Sequence, residues 1–283
     1  MRPRGGVFGA SIAPSLSAAN SAAGGAWHLR EAEQLSRAAT WPGKLGSPTQ
    51  LANLQLWLDA SDSSTLYDST TSGARVAAGG TVARWEDKSG NGNHCVEATN
   101  KPTRVASQIN GLDVVRFNGT STFLKGSTTP GTGNVRTVFA VGKSSSNVGG
   151  ELLQLGEPPG YVGGAFLLRQ IVYQGTYIIG GDLWTNNLSL ASAVTFTSPF
   201  LASVVEQSNS SVSYYHNGTS VAVSGALNSF NMAAGYYVGK AFIGSNVGFW
   251  PGDVCEIVIY NSALSSGDRI SVQNYLNAKW KLF

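Results

Sequence analysis

The chain has 283 residues, 42% of them hydrophobic and only 12% charged, and it carries a formal net charge of +3. This length suffices for one β-sandwich of roughly 200–250 residues with an appended segment. Residues 1–50 hold the whole positive excess, and residues 51–283 contain 14 basic and 14 acidic side chains. A neutral body argues against nucleic-acid binding.

The chain also shows no signal for membrane insertion. No run approaches the roughly 20 apolar residues of a membrane-spanning helix. A compact apolar signal sequence after Met1 is missing as well. We therefore expect neither nucleic acid nor a membrane as a partner, and we expect synthesis in the cytoplasm.

The segment 1–50 differs in composition from the rest and begins with a run rich in Gly, Ala and Ser. Trp27 and Trp41 bracket a predicted short helix whose apolar side includes Leu29 and Leu35. A single short helix is unstable alone, and aromatic anchors are favoured at interfaces. We predict an assembly arm that docks on a neighbouring subunit. The alternative is a helix packed on its own domain.

From residue 51 the pattern changes to a period of two, as Leu54, Leu56 and Leu58 alternate with other residues. Short strands separated by Gly, Asn, Ser and Pro follow. They are predicted at 82–86, 114–118, 123–125, 136–143, 151–155, 165–169, 171–179, 193–197, 201–206, 211–216, 219–223, 236–239 and 254–260. Such a series predicts an all-β domain over 51–283, built as a two-sheet antiparallel jelly-roll sandwich. Its first and last strands are expected to close it.

Two local elements are well specified near the end of the chain. Asn217 and Gly218 tolerate the positive φ angles of a type I′ turn and predict a hairpin. A C-terminal helix is predicted at 266–279, where the side chains around Ser265 can cap the first amides. Its predicted apolar side consists of Ile270, Tyr275, Leu276 and Trp280.

The two cysteines leave alternatives open. Cys255 alternates with Ile257 and Ile259 and is expected to be a small core residue. A disulfide between Cys95 and Cys255 is the alternative.

Five motifs carry a resemblance to a known family. They lie at 56–61 (Leu-Trp-Leu-Asp-Ala-Ser), 85–94 (Trp-Glu-Asp-Lys-Ser-Gly-Asn-Gly-Asn-His), 110–119, 256–264 and 275–280. Together they resemble the concanavalin A-like, laminin G-like jelly-roll domain over about residues 51–283. The version that ends in a Lys-Trp helix is similar to domains of bacteriophage virion structural proteins. The resemblance implies the fold and leaves the ligand open.

The loop after the predicted strand at 82–86 is a candidate metal site. Asp87, Ser89, Asn91 and Asn93 place oxygen-bearing side chains at alternate positions of a glycine-bent loop. Such oxygens can surround a calcium ion, the one cofactor considered. The loop lacks a second carboxylate, however, and the favoured alternative is a turn in which these side chains bond their own backbone.

Catalytic motifs are scarce, and we expect no enzyme. Glucanases of the resembled fold use carboxylates at alternate positions of one strand, whereas Glu256 stands alone among apolar residues. Aromatic rings can stack on sugar faces. Trp184 and Trp250 lie in loop-like surroundings and are the candidate ligand contacts.

The leading hypothesis is therefore a non-enzymatic virion protein, either a capsid decoration or a tail fibre or spike component. Its N-terminal arm would fix it to other virion proteins, and self-association is expected. The alternative hypothesis is a lectin-like carbohydrate-binding module that recognises host surface glycans.

Overall fold

The computed structural model describes most of the chain after residue 45. Side chains are described in 46–131, 133, 135–146, 150–156, 194–208, 211–223, 235–241 and 248–283, and backbone alone in 166–169, 171–173, 176–179, 188–190, 224, 242–243 and 246–247.

Within these residues the chain forms many short strands, one α-helix and two 3-10 turns, which lie at Pro48–Gln50 and Ser63–Thr65. The helix is α1 (Ser266–Trp280). The strands are β1 (Leu54–Asp59), β2 (Leu66–Tyr67), β3 (Arg84–Trp85), β4 (Cys95–Val96), β5 (Thr103–Ile109), β6 (Leu112–Asn118), β7 (Leu124–Gly126), β8 (Arg136–Ser144), β9 (Glu151–Leu155), β10 (Phe166–Arg169), β11 (Ile171–Tyr173), β12 (Thr176–Ile179), β13 (Leu188–Leu190), β14 (Phe200–Ser208), β15 (Ser211–His216), β16 (Thr219–Val221), β17 (Val223–Ser224), β18 (Tyr236–Val238), β19 (Lys240–Ile243), β20 (Asn246–Phe249) and β21 (Pro251–Tyr260).

Two large antiparallel sheets make up the sandwich. The eight-stranded sheet has the order β16-β15-β14-β8-β21-β6-β5, with β1 beside β21. The seven-stranded sheet has the order β10-β9-β18-β7-β4-β3-β2. A four-stranded sheet (β11-β12-β13-β17) and the hairpin β19-β20 complete the described strands. The predicted all-β sandwich with a C-terminal helix is confirmed. Of the predicted arm (residues 1–50), only 46–50 are described, and the tryptophan-bracketed helix lies outside the described residues.

The last strand of the sandwich is shared by three neighbours. On one side it pairs with β8 along nearly its whole length. On the other side Pro251–Val254 pairs with β6, and residues 256–260 pair with β1. A register shift at Cys255 separates the two halves. The first and last strands of the domain therefore lie side by side, as the sequence predicted.

The main hydrophobic core lies between the two sheets. Alternation along β1 and β21 turns Leu56, Leu58, Ile257 and Ile259 inward, where they are fully buried. In the seven-stranded sheet, the strands β2, β3, β4, β7, β18 and β9 all contribute core side chains. These are Leu66, Trp85, Cys95, Leu124, Leu153, Leu155, Tyr236 and Val238. Burying each large aliphatic side chain contributes about 1.5–3 kcal/mol to stability.

Helix α1 covers the outer face of the eight-stranded sheet. Ser265 accepts a hydrogen bond from the Asp268 amide and caps the helix, as predicted. Val272, Leu276 and Trp280 are buried in a second core against this sheet. The prediction for Ile270 is wrong, since its side chain is 44% exposed. Two residues advance the helix by about 200°, so Ile270 points away from the face that holds Val272.

A buried carboxylate ties this helix to the strands that close the domain. Glu256 Oε1 accepts hydrogen bonds from Trp57 Nε1 at 2.7 Å and from the Tyr275 hydroxyl at 3.1 Å. Its Oε2 accepts from Trp280 Nε1 and from Lys279 Nζ, both at 2.7 Å. β1, β21 and α1 thus meet at one fully buried group. Glu256 lies in the middle of the sheet and forms a salt bridge with Lys279.

Lys279 also bridges to a second carboxylate. Its Nζ lies 2.6 Å from Asp59 Oδ1, and Lys88 Nζ lies 2.8 Å from Asp59 Oδ2. Burial, and after it the charge of Asp59, raises the pKa of Glu256. Burial alone would raise the pKa of Asp59, but Lys279 and Lys88 hold it below its usual value. The two ammonium groups keep this buried cluster close to electrical balance.

The cysteines do not form a disulfide. Both thiols are unpaired and buried. Cys95 faces the core between the sheets, whereas Cys255 faces the core under α1. A sheet separates the two sulfur atoms, so the core alternative for Cys255 is correct. The predicted hairpin is also present, with positive φ at both Asn217 and Gly218.

Candidate functional site

The outer face of the seven-stranded sheet carries a row of outward-pointing side chains, most of them polar. β3, β4 and β7 are neighbours, and their registers place Arg84 opposite Val96 and Val96 opposite Lys125. Cys95 and Leu124 point into the core, so these three side chains point outward by alternation. Tyr237 continues the row on β18.

A groove of about 580 Å³ lies over one end of this row. Its lining combines two aliphatic side chains with hydroxyl, basic and acidic groups. The lining residues are Thr70, Arg84, Gly92, His94, Val96, Glu97, Ala98, Lys125 and Ser127. The volume falls within the range of roughly 300–1,000 Å³ that small-molecule sites occupy.

His94 presents a defined hydrogen-bonding edge to the groove. Its Nδ1 accepts a hydrogen bond from the Asp87 amide at 3.0 Å. Partial burial, and after it the charge of Arg84, lowers the pKa of His94. The imidazole is therefore neutral at pH 7, with the proton on Nε2. His94 can thus serve as a donor to a bound molecule.

The other charged side chains of the groove are held by neighbours. Arg84 Nε lies 3.1 Å from Glu86 Oε1, and Arg84 also donates to the Thr70 carbonyl at 3.3 Å. Glu97 Oε1 accepts from the amides of Thr99 and Asn100. These contacts fix the donors and acceptors in place before a ligand arrives, which lowers the entropy cost of binding.

Aromatic rings beside the groove support lysines. The Lys125 ammonium lies 5.0 Å from the centre of the Tyr237 ring. The Lys240 ammonium lies 4.1 Å from the centre of the Phe123 ring. Both distances suit a cation–π contact. Because ammonium groups lie over these rings, the surface beside the groove offers hydrogen bonds and charge more than open ring faces for stacking.

The loop that was the candidate metal site forms one wall of the groove. Asp87 Oδ1 accepts from the amides of Trp57 and Ser89, and Oδ2 accepts from the Ser89 hydroxyl and the Asn93 amide. Asn91 and Asn93 donate to the carbonyls of Leu54 and Gln55. The contacts with Ser89 and Asn93 amides are of the kind that the turn alternative predicts, whereas those with Trp57, Leu54 and Gln55 join the loop to β1. In the part of the chain described, no cluster of three His, Cys, Asp or Glu side chains could hold a metal.

Tyr236 supports this wall from the core. Its hydroxyl donates to the Asn93 carbonyl at 2.6 Å. A β-carbon at Gly126 would lie 1.9 Å from the Tyr236 ring and clash with it, so this position of β7 requires glycine. The loop, the core and the floor of the groove are therefore mechanically connected.

The prediction that Trp250 is an exposed ligand contact is wrong. Its side chain is 1% exposed and packs in the core between the sheets, with its ring 6.1 Å from that of Phe200. Its Nε1 donates to the Asp253 carbonyl. Trp250 directly precedes β21, which runs through the centre of its sheet, and its large apolar ring fills the core there.

The remaining predicted contacts lie outside the described residues. They are Trp184 and the arm residues Trp27, Leu29, Leu35 and Trp41. Sequence reasoning also missed Arg84, Glu97 and Lys125. Arg84 and Lys125 share a face only through pairing of the short strands β3, β4 and β7, and two- or three-residue strands show no readable alternation; Glu97 follows directly after β4.

Membrane insertion finds no support in α1. No helix among the described residues combines the length and apolar character needed to cross a bilayer.

Comparison with known proteins identifies the fold. No family model and no curated protein matches the chain. The fourth domain of an extracellular arabinanase from Geobacillus stearothermophilus, solved with arabinotriose, has a TM-score of 0.51 and 11% identity, over 78% of this chain and 98% of that domain. Trypanosoma rangeli sialidase, solved with sialic acid, has a TM-score of 0.52 and 16% identity over 81% of this chain.

A third similar structure is the receptor-binding domain of botulinum neurotoxin D, with a TM-score of 0.50 and 13% identity over 82% of this chain. The chain spans about a third of the sialidase (33%) and about half of the toxin domain (54%). At these identities the likeness establishes a shared β-sandwich fold.

Proposed function

We propose that the protein is a non-enzymatic carbohydrate-binding module that holds a glycan in the groove on its seven-stranded sheet. The observation that carries this proposal is the groove itself, where His94, Arg84 and Glu97 offer fixed donors and acceptors around Val96. A sugar presents many hydroxyl groups around a small apolar surface, and this lining suits both.

The fold comparisons support the same proposal. The arabinanase domain was solved with arabinotriose, and the matched sialidase was solved with sialic acid. Fold alone does not fix function, so the groove remains the main support for carbohydrate binding.

The small number of carboxylates that line the groove supports a binding role without catalysis. Glycoside hydrolysis commonly uses two carboxyl groups on either side of the scissile bond. Of the described acidic residues, only Glu97 lines the groove. One of its oxygens is bound to backbone amides.

The test is a glycan array that includes arabinotriose, sialylated glycans and bacterial surface polysaccharides. We expect wild-type protein to bind at least one glycan class and to release no reducing ends from it. Lys125→Met should weaken this binding, and Trp184→Ala tests the predicted contact outside the described residues. Absence of binding across the array contradicts the module, and turnover of a bound polysaccharide contradicts the non-enzymatic role.

The second candidate is a virion structural component that contacts other virion proteins and itself. It is favoured by the motifs at 56–61 and 275–280, which resemble those of phage virion domains, and by the tryptophans that bracket the arm. Copurification with phage particles in a fixed ratio would support it. If protein lacking residues 1–50 still joined particles at full occupancy, anchoring by the arm would be wrong.

A further inference from the structure

A second polar depression lies on the opposite sheet. The registers place Asp253 of β21 opposite Arg116 of β6 and opposite Lys143 of β8. Phe117 and Val254 point into the core between the sheets, so the adjacent Arg116 and Asp253 point outward. One acidic side chain therefore lies between two basic ones on the outer face of the eight-stranded sheet.

The acidic member of this row is committed to one partner. Asp253 Oδ1 lies 2.6 Å from Arg116 Nε, and Oδ2 lies 2.9 Å from Arg116 Nη2. This two-point pairing holds the guanidinium rigidly. Nη2 also donates to Gln108 Oε1 at 2.9 Å. Three of the five guanidinium hydrogens are thereby used, and the two on Nη1 form no hydrogen bond with the described residues.

The second cation of the row is not neutralised. Lys143 is exposed and forms no ion pair with the described part of the chain. The row consequently carries a net charge of +1. The Arg116 side chain is 45% exposed despite its pairing, so its Nη1 group can donate to a bound molecule.

The surface between these cations is concave and has a volume of about 440 Å³. Its lining is formed by Arg116, Phe117, Lys143, Ser144, Ser145, Thr197, Gly252 and Asp253. A β-carbon at Gly252 would lie 2.2 Å from the Lys143 carbonyl oxygen, so no side chain can fill this position without a backbone shift.

The hydroxyl groups of the lining differ in what they can offer. Ser144 and Ser145 already donate to carbonyl oxygens. The Thr197 hydroxyl makes no hydrogen bond among the contacts described. The lining thus offers three donor groups without a hydrogen bond to the described residues, which are an ammonium, the Nη1 of a guanidinium and one hydroxyl, a set that suits an oxyanion.

We propose that this depression binds an oxyanion, namely the carboxylate or sulfate group of an acidic sugar, through Lys143, Arg116 and Thr197. The site lies on the other sheet from the groove of the proposed function. Because the two sites lie on different sheets, amide shifts and site-specific variants distinguish binding at one from binding at the other, so the two proposals stand or fall separately.

The test is a titration of the full chain at low salt, followed by amide chemical shifts, with three probes: inorganic sulfate, trigalacturonate and arabinotriose. Sulfate and trigalacturonate should shift amides near Lys143 and Gly252, and arabinotriose should not. Lys143→Gln should weaken both anions about tenfold, because a charge-assisted hydrogen bond is lost. Thr197→Val should weaken them less.

Lys101→Gln is the matched control, since it removes a lysine charge outside both depressions, and it should leave the affinities unchanged. Lys143 is exposed, so thermal unfolding should confirm that Lys143→Gln folds like wild type. Equal affinity of wild type and Lys143→Gln for both anions would overturn the proposal. Binding of sulfate without trigalacturonate would overturn the assignment to an acidic sugar.

Discussion

The indole nitrogen of Trp57, in the first strand of the sandwich, donates a 2.7 Å hydrogen bond to Oε1 of Glu256, in the last strand. The two residues are far apart in sequence, and their contact lies where α1 crosses the sheet. Trp280 of the helix donates to the other carboxylate oxygen. One carboxylate therefore joins both ends of the domain, and removing it should loosen all three elements.

We predict that Glu256→Gln lowers the free energy of unfolding by about 3–5 kcal/mol, the range for losing one partner of a buried charge pair. The glutamine amide would place a donor against groups that are already donors, and Lys279 would lose a buried counter-charge. Urea unfolding measures the loss. Glu97→Gln is the control and should change stability by less than about 0.5 kcal/mol. A loss below about 1 kcal/mol for Glu256→Gln would contradict this role.

A second prediction concerns the pH dependence of stability. Arg136 and Glu206 form a buried pair at 2.7 Å between β8 and β14. Burial raises the pKa of Glu206 to about 7 despite the arginine. In the folded state the Glu206 carboxyl group therefore keeps its proton at a pH where the unfolded chain has released it. This group should make the protein less stable as pH rises from about 4.5 to about 7.

Urea unfolding between pH 4.5 and pH 8 tests the Glu206 contribution, which we expect to be on the order of 3 kcal/mol. In Glu206→Gln the difference in the free energy of unfolding between pH 4.5 and pH 8 should shrink by that amount, because glutamine does not titrate. An unchanged pH profile in the variant would assign the dependence to other groups.

A third prediction separates the turn from the calcium alternative in the loop that begins at Asp87. Because this carboxylate accepts four hydrogen bonds, Asp87→Asn should cost about 1–3 kcal/mol of stability. Calcium at about 5 mM exceeds the dissociation constants of weak sites. It should leave the melting temperature of wild type unchanged. A calcium-dependent rise that disappears in Asp87→Asn would instead support a metal site.

A fourth prediction follows from the positions of the cysteines. Burial raises the pKa of the Cys95 thiol to about 12 and also raises that of Cys255. A thiol reagent should label neither residue in native protein at pH 8, because thiolate and access are both lacking. After unfolding without a reductant, both should react. Absence of labelling in the unfolded protein would indicate a disulfide.

The elements with a strong repeating pattern could be predicted from the sequence. The alternation of Leu54, Leu56 and Leu58, with the matching apolar run that ends at Tyr260, predicted the strands that close the sandwich. The cap at Ser265 predicted the start of α1. In each case local patterning and tertiary packing favour the same structure.

The candidate groove could not be predicted, because its residues are brought together by pairing of very short strands. Arg84, Val96 and Lys125 lie on one face only through the registers of β3, β4 and β7. The prediction for Trp250 failed because its sequence neighbours suggested a loop. Its neighbours Gly248 and Pro251 are typical of loops, yet Pro251 begins a central strand and the ring is buried.

The most direct test of the account is to fill the groove on the seven-stranded sheet without removing any of its contacts. Ser127 is exposed on the groove wall, and Ser211 is also exposed, at the start of β15 in the other sheet. For the glycan that wild type binds most strongly on the array, Ser127→Trp should lower the affinity at least about tenfold, and Ser211→Trp should leave it unchanged. Full binding by Ser127→Trp would contradict the groove as the glycan site.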